Sequence, residues 1–520
     1  MKILTTILIF STILFANDEL FKILEYGDFS KAKQMISEIK NEDVKNFYTA
    51  VYYMYNGNYS VAEEYISKIS SNTKFSEQEI YFINYIQFLS QTFSSGYKKF
   101  ENEHFEVYLK DRDIILADII LKVLEQIYKF YGQKFGYYPE KKVRVEVYNT
   151  KKEFSIASTL GEENVVKAGV VGICKFNRIM ILSPECLPFG YRWCDTLAHE
   201  YTHFILNRIT EFKYPLYLHE GTARYYDTLY RSTTPLCFVI GNLNLLLEAK
   251  KKNEIIPFEK MKGSLVYLDS QQQVELAFAE LSTFVEYLIN NFGEEKFIEF
   301  VKNYKNYDKE ELYKKIFGVE FKNIISEWYK SIDKKEEVVK NYPGAMADFK
   351  LTSAEDEKSL IGLDMWQYIE LGDKFFQNKN YNVAIYQYKK AQKEQPYNPV
   401  VMTRIAKCYI LQKKYDEAEK ILLECSFVNP NYVTTYELLV KLFYEKGEYE
   451  KAMKYYEEVL QINPFNWEIH KIVAQMLSDL GKVKDAMKKY EIVLILNPTD
   501  NDTKTKYENL KRYLEYKQQF

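Results

Sequence analysis

The sequence predicts an α+β domain, built from a small sheet plus helices, that is flanked by all-helical repeats. Three observations carry this prediction. Alternating apolar residues mark short strands between residues 104 and 182, and an HExxH motif occupies residues 199–203 of an apolar-striped segment. In the last third of the chain, alanine and proline recur with a period of 34 residues. A chain of 520 residues has room for about two to four domains.

The N-terminal residues have the pattern of an export signal. Met1-Lys2 is followed by an apolar run up to Phe15, and then by Ala16 and a polar segment. This pattern predicts a secretory signal peptide over residues 1–16, with cleavage near Ala16. The run is too short for a stable transmembrane helix, and a signal anchor is the alternative. The sequence therefore predicts an exported protein, periplasmic or extracellular, with no stable membrane span.

A short helical-repeat segment is predicted for residues 17–96. The stretches Gly27–Ala32 and Gly57–Ala62 are alike and begin 30 residues apart. Both resemble the junction between the two helices of a helical repeat.

The middle domain, residues 97–333, begins with strands and ends with helices. Val143, Val145 and Val147 alternate with polar residues, as in a half-buried strand. The predicted strands are 104–109 and 142–148, followed by a hairpin with strands at 168–174 and 178–182. The predicted helices are 114–135, the HExxH segment, 276–292 and 321–332. The hairpin could offer a sheet edge to an extended substrate, or it could be an ordinary core hairpin.

The HExxH motif carries the strongest chemical signal. On a helix, His199 and His203 project from one face one turn apart, a spacing at which two imidazoles can bind one Zn²⁺. Glu200 lies about 100° around the helix from His199, within reach of a metal-bound water. Glu220 follows His203 by 17 residues and is a candidate third ligand.

These residues, together with the block from His219 to Tyr225, resemble the gluzincin metallopeptidases and in particular the bacterial peptidase MA-like domains. The resemblance covers about residues 100–332. It implies a zincin-like fold with a helical C-terminal subdomain and a cleft between the two halves. It implies one zinc ion per chain held by His199, His203 and Glu220, with Glu200 as the catalytic base.

Several neighbouring residues have open roles. His219 could be a ligand itself, or it could be a surface histidine or one that supports a ligand; the second reading is preferred over direct ligation. Some gluzincins place an acid four residues after the third ligand, where this chain has Arg224, so the residue that orients a zinc histidine is not identified by this pattern. Asp195, one turn before His199, is a candidate, and the alternative is a solvent-exposed helix charge. The candidates to stabilise the oxyanion are four residues near Glu220: His219, Arg224, Tyr225 and Tyr226.

The C-terminal region resembles tetratricopeptide (TPR) repeats. Alanine recurs at positions 384, 418, 452 and 486, and proline at 396, 430, 464 and 498. Four repeats are predicted over residues 365–498, a capping helix over 499–520, and a linker over 334–364. Such repeats bind proteins or peptides, so a protein partner or substrate is expected here.

The composition limits the other possibilities. The net charge is −3 and the charges are interspersed, so nothing favours nucleic acid as a partner. Six cysteines permit disulfides in an exported chain. Cys186 and Cys194 could close a loop or be buried thiols, and Cys408 and Cys425 are read as core residues.

The sequence therefore favours an exported zinc-dependent metallopeptidase that acts on a peptide or protein substrate, with repeats that recruit a protein partner or substrate. The first alternative is a catalytically silent peptidase-like scaffold whose repeats bind proteins. The second is a zinc hydrolase that acts on non-peptide amides.

Overall fold

The computed structural model describes residues 18–261, 265, 268–347 and 363–518. The predicted signal peptide and part of the predicted linker lie outside these residues. The chain divides into two compact units. The first comprises the described residues up to Ser183 together with Asp195–Cys237 and Ile255–Ser331. The second comprises Pro184–Cys194, Phe238–Glu254 and the described residues from Ile332 onward.

A mixed five-stranded sheet forms the centre of the first unit. Its strands are β1 (Lys98–Glu101), β2 (Phe105–Leu109), β3 (Val143–Tyr148), β4 (Gly172–Lys175) and β5 (Arg178–Leu182). Their order is β1-β2-β3-β5-β4, in which the three central strands are parallel and the two outer strands are antiparallel to their neighbours. The antiparallel strand β4 therefore forms one edge of the sheet.

Both faces of the sheet are covered by helices, so every residue of β3 and β5 is buried. On one face, Arg178 Nη2 lies 2.7 Å from the hydroxyl of Tyr85, which belongs to the N-terminal helices. On the other face, the ring of Phe105 contacts that of Tyr201, in the helix that carries the HExxH motif, with centroids 5.8 Å apart. The helix with the HExxH motif thus packs directly on the sheet.

Five N-terminal helices belong to the same compact unit as the sheet. Three of them start at local capping signals: the side chains of Asp28 and Asn41 each accept a hydrogen bond from a backbone amide of the first turn, and Ser76 with Glu79 forms a capping box. The helices span Asp18–Tyr26, Phe29–Ser37, Glu42–Tyr55, Tyr59–Ile66 and Glu77–Ser94.

The remaining helices of the first unit surround the sheet and build its second half. They are Ala117–Phe135, Lys151–Ala157, Glu162–Ala168, Trp193–Ile209 from Asp195 onward, Leu216–Tyr226, Gln271–Phe292, Glu294–Asn303, Lys309–Phe317 and Phe321–Ser331. Short 3-10 turns span Asp111–Leu116 and Phe258–Met261. The sheet with these helices confirms the predicted α+β domain.

Two local expectations differ from the structure. The predicted strand at residues 168–174 is shorter, because Glu162–Ala168 is a helix and β4 begins only at Gly172. Glu162 and Glu163 lie in the first turn of that helix, where the helix dipole favours acidic residues. The helix predicted to begin at Leu276 begins at Gln271, because the Ser270 side chain caps it by accepting a hydrogen bond from the amide of Gln273.

The second unit consists mainly of paired helices with the predicted 34-residue spacing. The four alanines of the period, at 384, 418, 452 and 486, are fully buried, which lets the paired helices approach closely. The pairs are Leu363–Gln377 with Tyr381–Glu394, Pro399–Leu411 with Tyr415–Val428, Val433–Glu445 with Tyr449–Ile462, and Trp467–Asp479 with Val483–Leu496. The last helix is Asn501–Gln518. The predicted repeat architecture is confirmed.

Before the repeats, the second unit contains the helices Ile240–Lys252 and Glu336–Val339 and the 3-10 turns Pro184–Cys186 and Ile332–Lys335. The six cysteines are present as thiols. Among the helices that the structure describes, none is long and apolar enough to cross a membrane.

Candidate active site

Two helices of the first unit supply the residues of the HExxH motif and its downstream acid. His199, Glu200 and His203 lie on the helix Trp193–Ile209, called the metal helix below. Its apolar stripe is buried and includes Leu197, Ala198, Tyr201 and Ile205. After a turn, Pro215 directly precedes the helix Leu216–Tyr226, which carries Glu220. The sequence predicts both helices because apolar residues recur at helical spacing and proline is favoured at a helix start.

Three side chains converge on one point. His199 Nε2 lies 3.2 Å from His203 Nε2 and 3.3 Å from Glu220 Oε2. His203 Nε2 lies 3.5 Å from the same carboxylate oxygen. Within the described residues, these three are the only group of histidine, cysteine and acidic side chains placed to hold a metal ion.

The donor set fits zinc. Zn²⁺ binds imidazole nitrogen and carboxylate oxygen at about 2.0–2.1 Å in a tetrahedron, which places neighbouring donors about 3.3–3.4 Å apart. The observed separations of 3.2–3.5 Å agree with that arrangement. With these three residues as ligands, the fourth tetrahedral position would stay open, as in catalytic rather than structural zinc sites.

The protonation of these residues reflects their burial and their mutual contacts. Burial by itself would lower the pKa of His199, but the carboxylates of Asp227 and Glu220 outweigh it and raise the pKa to about 9. Burial would raise the pKa of Glu220, but His203 and His199 hold it well below its usual value. The two groups therefore attract each other as an ion pair, with His199 Nε2 and Glu220 Oε2 3.3 Å apart.

Glu200 lies between this cluster and the edge strand β4. Burial raises the pKa of the Glu200 carboxyl, and the backbone amide of Cys174 in β4 offsets part of that rise. A Cβ atom at Gly172 would lie 2.8 Å from Glu200 Oε1 and 2.6 Å from a methyl carbon of Thr196, so only glycine leaves room here. The base predicted from the sequence is thus packed against the edge of the sheet.

A carboxylate that the sequence analysis missed stands behind His199. Asp227 is almost fully buried, and its Oδ2 lies 3.8 Å from His199 Nδ1, the ring nitrogen that points away from the cluster. Arg224 Nη1 holds the same carboxylate oxygen at 3.1 Å. Asp227 follows Glu220 by seven residues, which places both on one side of the helix and its continuation. That spacing was the signal available in the sequence.

Asp195, the orienting acid considered from the sequence, is engaged elsewhere. Both of its carboxylate oxygens accept hydrogen bonds from the guanidinium of Arg231, at 2.7 and 2.6 Å, and Oδ1 also lies 3.2 Å from the hydroxyl of Tyr230. It is buried, so it is not the exposed helix charge that is common near a helix start.

His219 lies behind His203 rather than beside the cluster. The Nδ1 atoms of the two rings are 3.0 Å apart, whereas His203 Nε2 faces Glu220. Burial, and then the neighbouring His203, lower the pKa of His219 to about 3, so this imidazole is neutral and can accept a hydrogen bond. Its position suits the support of His203 better than ligation.

Two of the other candidates near Glu220, Tyr226 and Arg224, have different surroundings. The hydroxyl of Tyr226 lies 3.0 Å from the carboxylate of Glu294 and belongs to the packing of the helices. The guanidinium of Arg224 lies 5.9 Å from the ring of Phe278, which in turn is 6.0 Å from the ring of His199. Arg224 therefore carries its positive charge beside Phe278, a neighbour of His199.

Comparison with known families agrees with this geometry. Residues 125–334 match the model of the Peptidase MA superfamily. The chain contains a Peptidase MA superfamily domain. Residues 375–439 and 433–466 match tetratricopeptide repeat models, so this domain is followed by TPR repeats. The Peptidase MA superfamily is generally zinc-dependent, in keeping with the donor set.

Solved structures are also similar to parts of the chain. A crystal structure of MamA protein is 17% identical, with 29% of this chain and 88% of MamA covered and a TM-score of 0.25. YrrB, described as a TPR protein with an unusual peptide-binding site, is 16% identical over 28% of this chain and 76% of YrrB, with a TM-score of 0.25. No curated protein matches the chain.

Proposed function

We propose that the chain is an exported zinc-dependent metallopeptidase that hydrolyses peptide bonds and holds one zinc ion. The observation that carries the proposal is the convergence of His199, His203 and Glu220, at separations that fit tetrahedral zinc, with Glu200 beside them. The Peptidase MA superfamily match supports the same reaction class.

In the proposed reaction, the metal and Glu200 would have separate roles. When bound, zinc would polarise the scissile carbonyl and lower the pKa of water. Glu200 serves as the general base: it accepts the proton of the attacking water and then passes it to the leaving amine. Asp227 and His219 would hold the rings of His199 and His203 in the orientation that directs their Nε2 atoms to the metal.

The edge strand β4 is the proposed platform for the peptide substrate. In the described part of the chain, β4 pairs only with β5, so its other edge is available for backbone hydrogen bonds. The amide of Cys174 in this strand interacts with Glu200, which brings the edge next to the base. An extended peptide paired along β4 would therefore pass the reacting centre, and main-chain recognition would admit varied sequences.

The repeats and the N-terminus complete the proposal. Export rests on the signal-peptide pattern of residues 1–16. TPR repeats are protein-binding modules, and those of this chain would contact a protein partner or a protein substrate.

Removal and return of zinc test the proposal. The zinc-loaded chain lacking residues 1–16 should cleave casein or a peptide library at internal bonds. We expect a chelator to abolish cleavage and stoichiometric zinc to restore it, because zinc with an open ligand position would bind and activate the attacking water. Fragment masses would be read by mass spectrometry. A zinc-loaded chain that leaves every peptide intact would contradict peptidase function.

Asp227→Asn should weaken zinc binding by about 10- to 100-fold, because the amide no longer carries the charge that stabilises His199. Zinc affinity would be measured by competition with a chromophoric chelator. Asp195→Asn is the matched control, because Asp195 is also buried but binds Arg231. Equal zinc affinity in Asp227→Asn and the unaltered chain would remove Asp227 from the site.

A further inference from the structure

The segment that leads into the metal helix is bound by the third TPR repeat. Pro184–Cys194 belongs to the second compact unit, with the repeats. The backbone amide of Tyr191 donates a hydrogen bond to the carbonyl of Ile462 at 3.1 Å, and Trp193 Nε1 donates to the carbonyl of Leu460 at 2.9 Å. Both carbonyls lie in the last turn of the helix Tyr449–Ile462, where no intrahelical donor is available. The segment therefore caps this helix.

Arg192 is the most completely recognised residue of the segment. Its Nε donates to Asn431 Oδ1 at 2.8 Å, and Nη1 donates to Glu458 Oε2 at 2.8 Å. Its Nη2 donates to the carbonyl of Pro430 at 2.6 Å and lies 3.2 Å from the hydroxyl of Tyr436. All three guanidinium nitrogens thus donate hydrogen bonds. Only arginine can do this, because its planar guanidinium holds several donors in a fixed arrangement, whereas lysine has a single ammonium group.

Neighbouring residues fit the repeat just as closely. Trp193 is fully buried. At Gly190, which has a positive φ of 66°, a Cβ atom would lie 2.2 Å from the carbonyl oxygen of Ile462, so only glycine permits this approach. The ring of Phe189 packs against that of Tyr432 with centroids 5.2 Å apart. The guanidinium of Arg192, the buried indole of Trp193 and the close backbone contact at Gly190 together occupy a peptide-binding site on the repeats.

We infer that the TPR repeats bind Phe189–Trp193 as an internal peptide ligand and thereby position the metal helix, with Arg192 as the positioning residue. Trp193 is the first residue of that helix, less than two turns before His199. Fixing this residue restricts fraying of the first turn and so steadies the ligand that follows. The inference rests on the proposed peptidase function for its effect on activity.

Binding of an internal segment limits how the repeats can bind an external partner. A segment of the same chain competes at a high effective concentration, so this part of the third repeat is occupied before any external partner arrives. An external protein would have to use other surfaces of the repeats or displace Phe189–Trp193. In the second case the partner would regulate the peptidase through the metal helix.

Arg192→Ala in the full chain tests the inference. Amide hydrogen exchange over residues 193–200 should rise by roughly ten-fold or more, since hydrogen bonds from a charged guanidinium to four partners are lost. For a zinc-loaded enzyme, kcat should fall while KM changes little, because the substrate edge is untouched. Arg192→Lys should recover only part of the loss, because lysine cannot reproduce the fixed arrangement of donors.

Arg404→Ala is the matched control. Arg404 lies in the same repeats, where its Nε binds Asp373 at 3.1 Å. It should lower the stability of the repeats without changing exchange over residues 193–200 or kcat. Exchange over those residues that is unchanged in Arg192→Ala, or that rises equally in Arg404→Ala, would overturn the inference. Because exchange needs no catalysis, it reports on the internal ligand even if the chain proves not to be a peptidase.

Discussion

Replacing Glu200 by glutamine is expected to lower the rate of peptide cleavage by about 10²–10⁴-fold, the usual contribution of a general base. The amide has nearly the same shape but cannot accept the proton of the attacking water. Bound zinc should be unchanged, because the donors come from His199, His203 and Glu220. Initial rates on a fluorogenic peptide and zinc content, measured on the same preparation, check both statements.

Glu211→Gln provides the matched control for this substitution. Glu211 follows the metal helix and its carboxylate pairs with Lys305 at 2.9 Å on the surface. This variant should retain full activity. Cleavage by Glu200→Gln at the rate of the unaltered chain would exclude Glu200 as the base and leave the reaction to another group.

The second large effect is expected in stability. Glu146→Gln should lower the free energy of unfolding by about 3–5 kcal/mol, the usual cost of removing one partner from a buried ion pair. Glu146 is fully buried in β3, where its carboxylate lies 2.5 Å from Arg144 Nε and 3.0 Å from Arg178 Nε and accepts a hydrogen bond from Tyr148. The substitution would remove the charge that pairs with Arg178 and one of the two that pair with Arg144, whose Nη1 also lies 3.4 Å from Glu106.

The carboxylate of Glu146 should also account for part of the loss of folding stability at acidic pH. Burial would raise the pKa of Glu146, but Arg178 and Arg144 outweigh it and lower the pKa below its ordinary value of 4.5. A carboxyl whose pKa is lowered by folding stabilises the protein at pH values above its pKa in the unfolded chain. This stability is lost as the pH falls through the lower pKa of the folded state. Urea unfolding at neutral and acidic pH would show a smaller pH dependence in Glu146→Gln. Equal stability of this variant and of Glu103→Gln, an exposed control, would contradict the account.

Much of the fold follows from local sequence patterns. The alternation of Val143, Val145 and Val147 predicts β3 because successive side chains of a strand point to opposite faces. The repeats are predicted because each copy buries an alanine at the same position. β1 has no such signal: Lys98–Glu101 is largely exposed and lacks apolar alternation, and only its pairing with β2 makes it a strand.

Local sequence patterns likewise predict only part of the candidate site. The pattern of His199, Glu200 and His203 is local to one helix, so its spacing alone indicates a metal and a base. Asp227 was missed because it supports His199 from the end of another helix. The partners of Arg192 lie more than 230 residues away in the sequence, as in its bond to Asn431 with a separation of 239. No local pattern can predict contacts of that kind.

Zinc content and peptide cleavage, measured together for the chain lacking residues 1–16 and for its Glu200→Gln variant, test the central claim most directly. The account predicts one zinc per chain in both proteins and cleavage only by the unaltered chain. Absence of zinc from both proteins after incubation with excess zinc would contradict the metal site. One zinc in both without cleavage by either would contradict the peptidase and favour a peptidase-like scaffold.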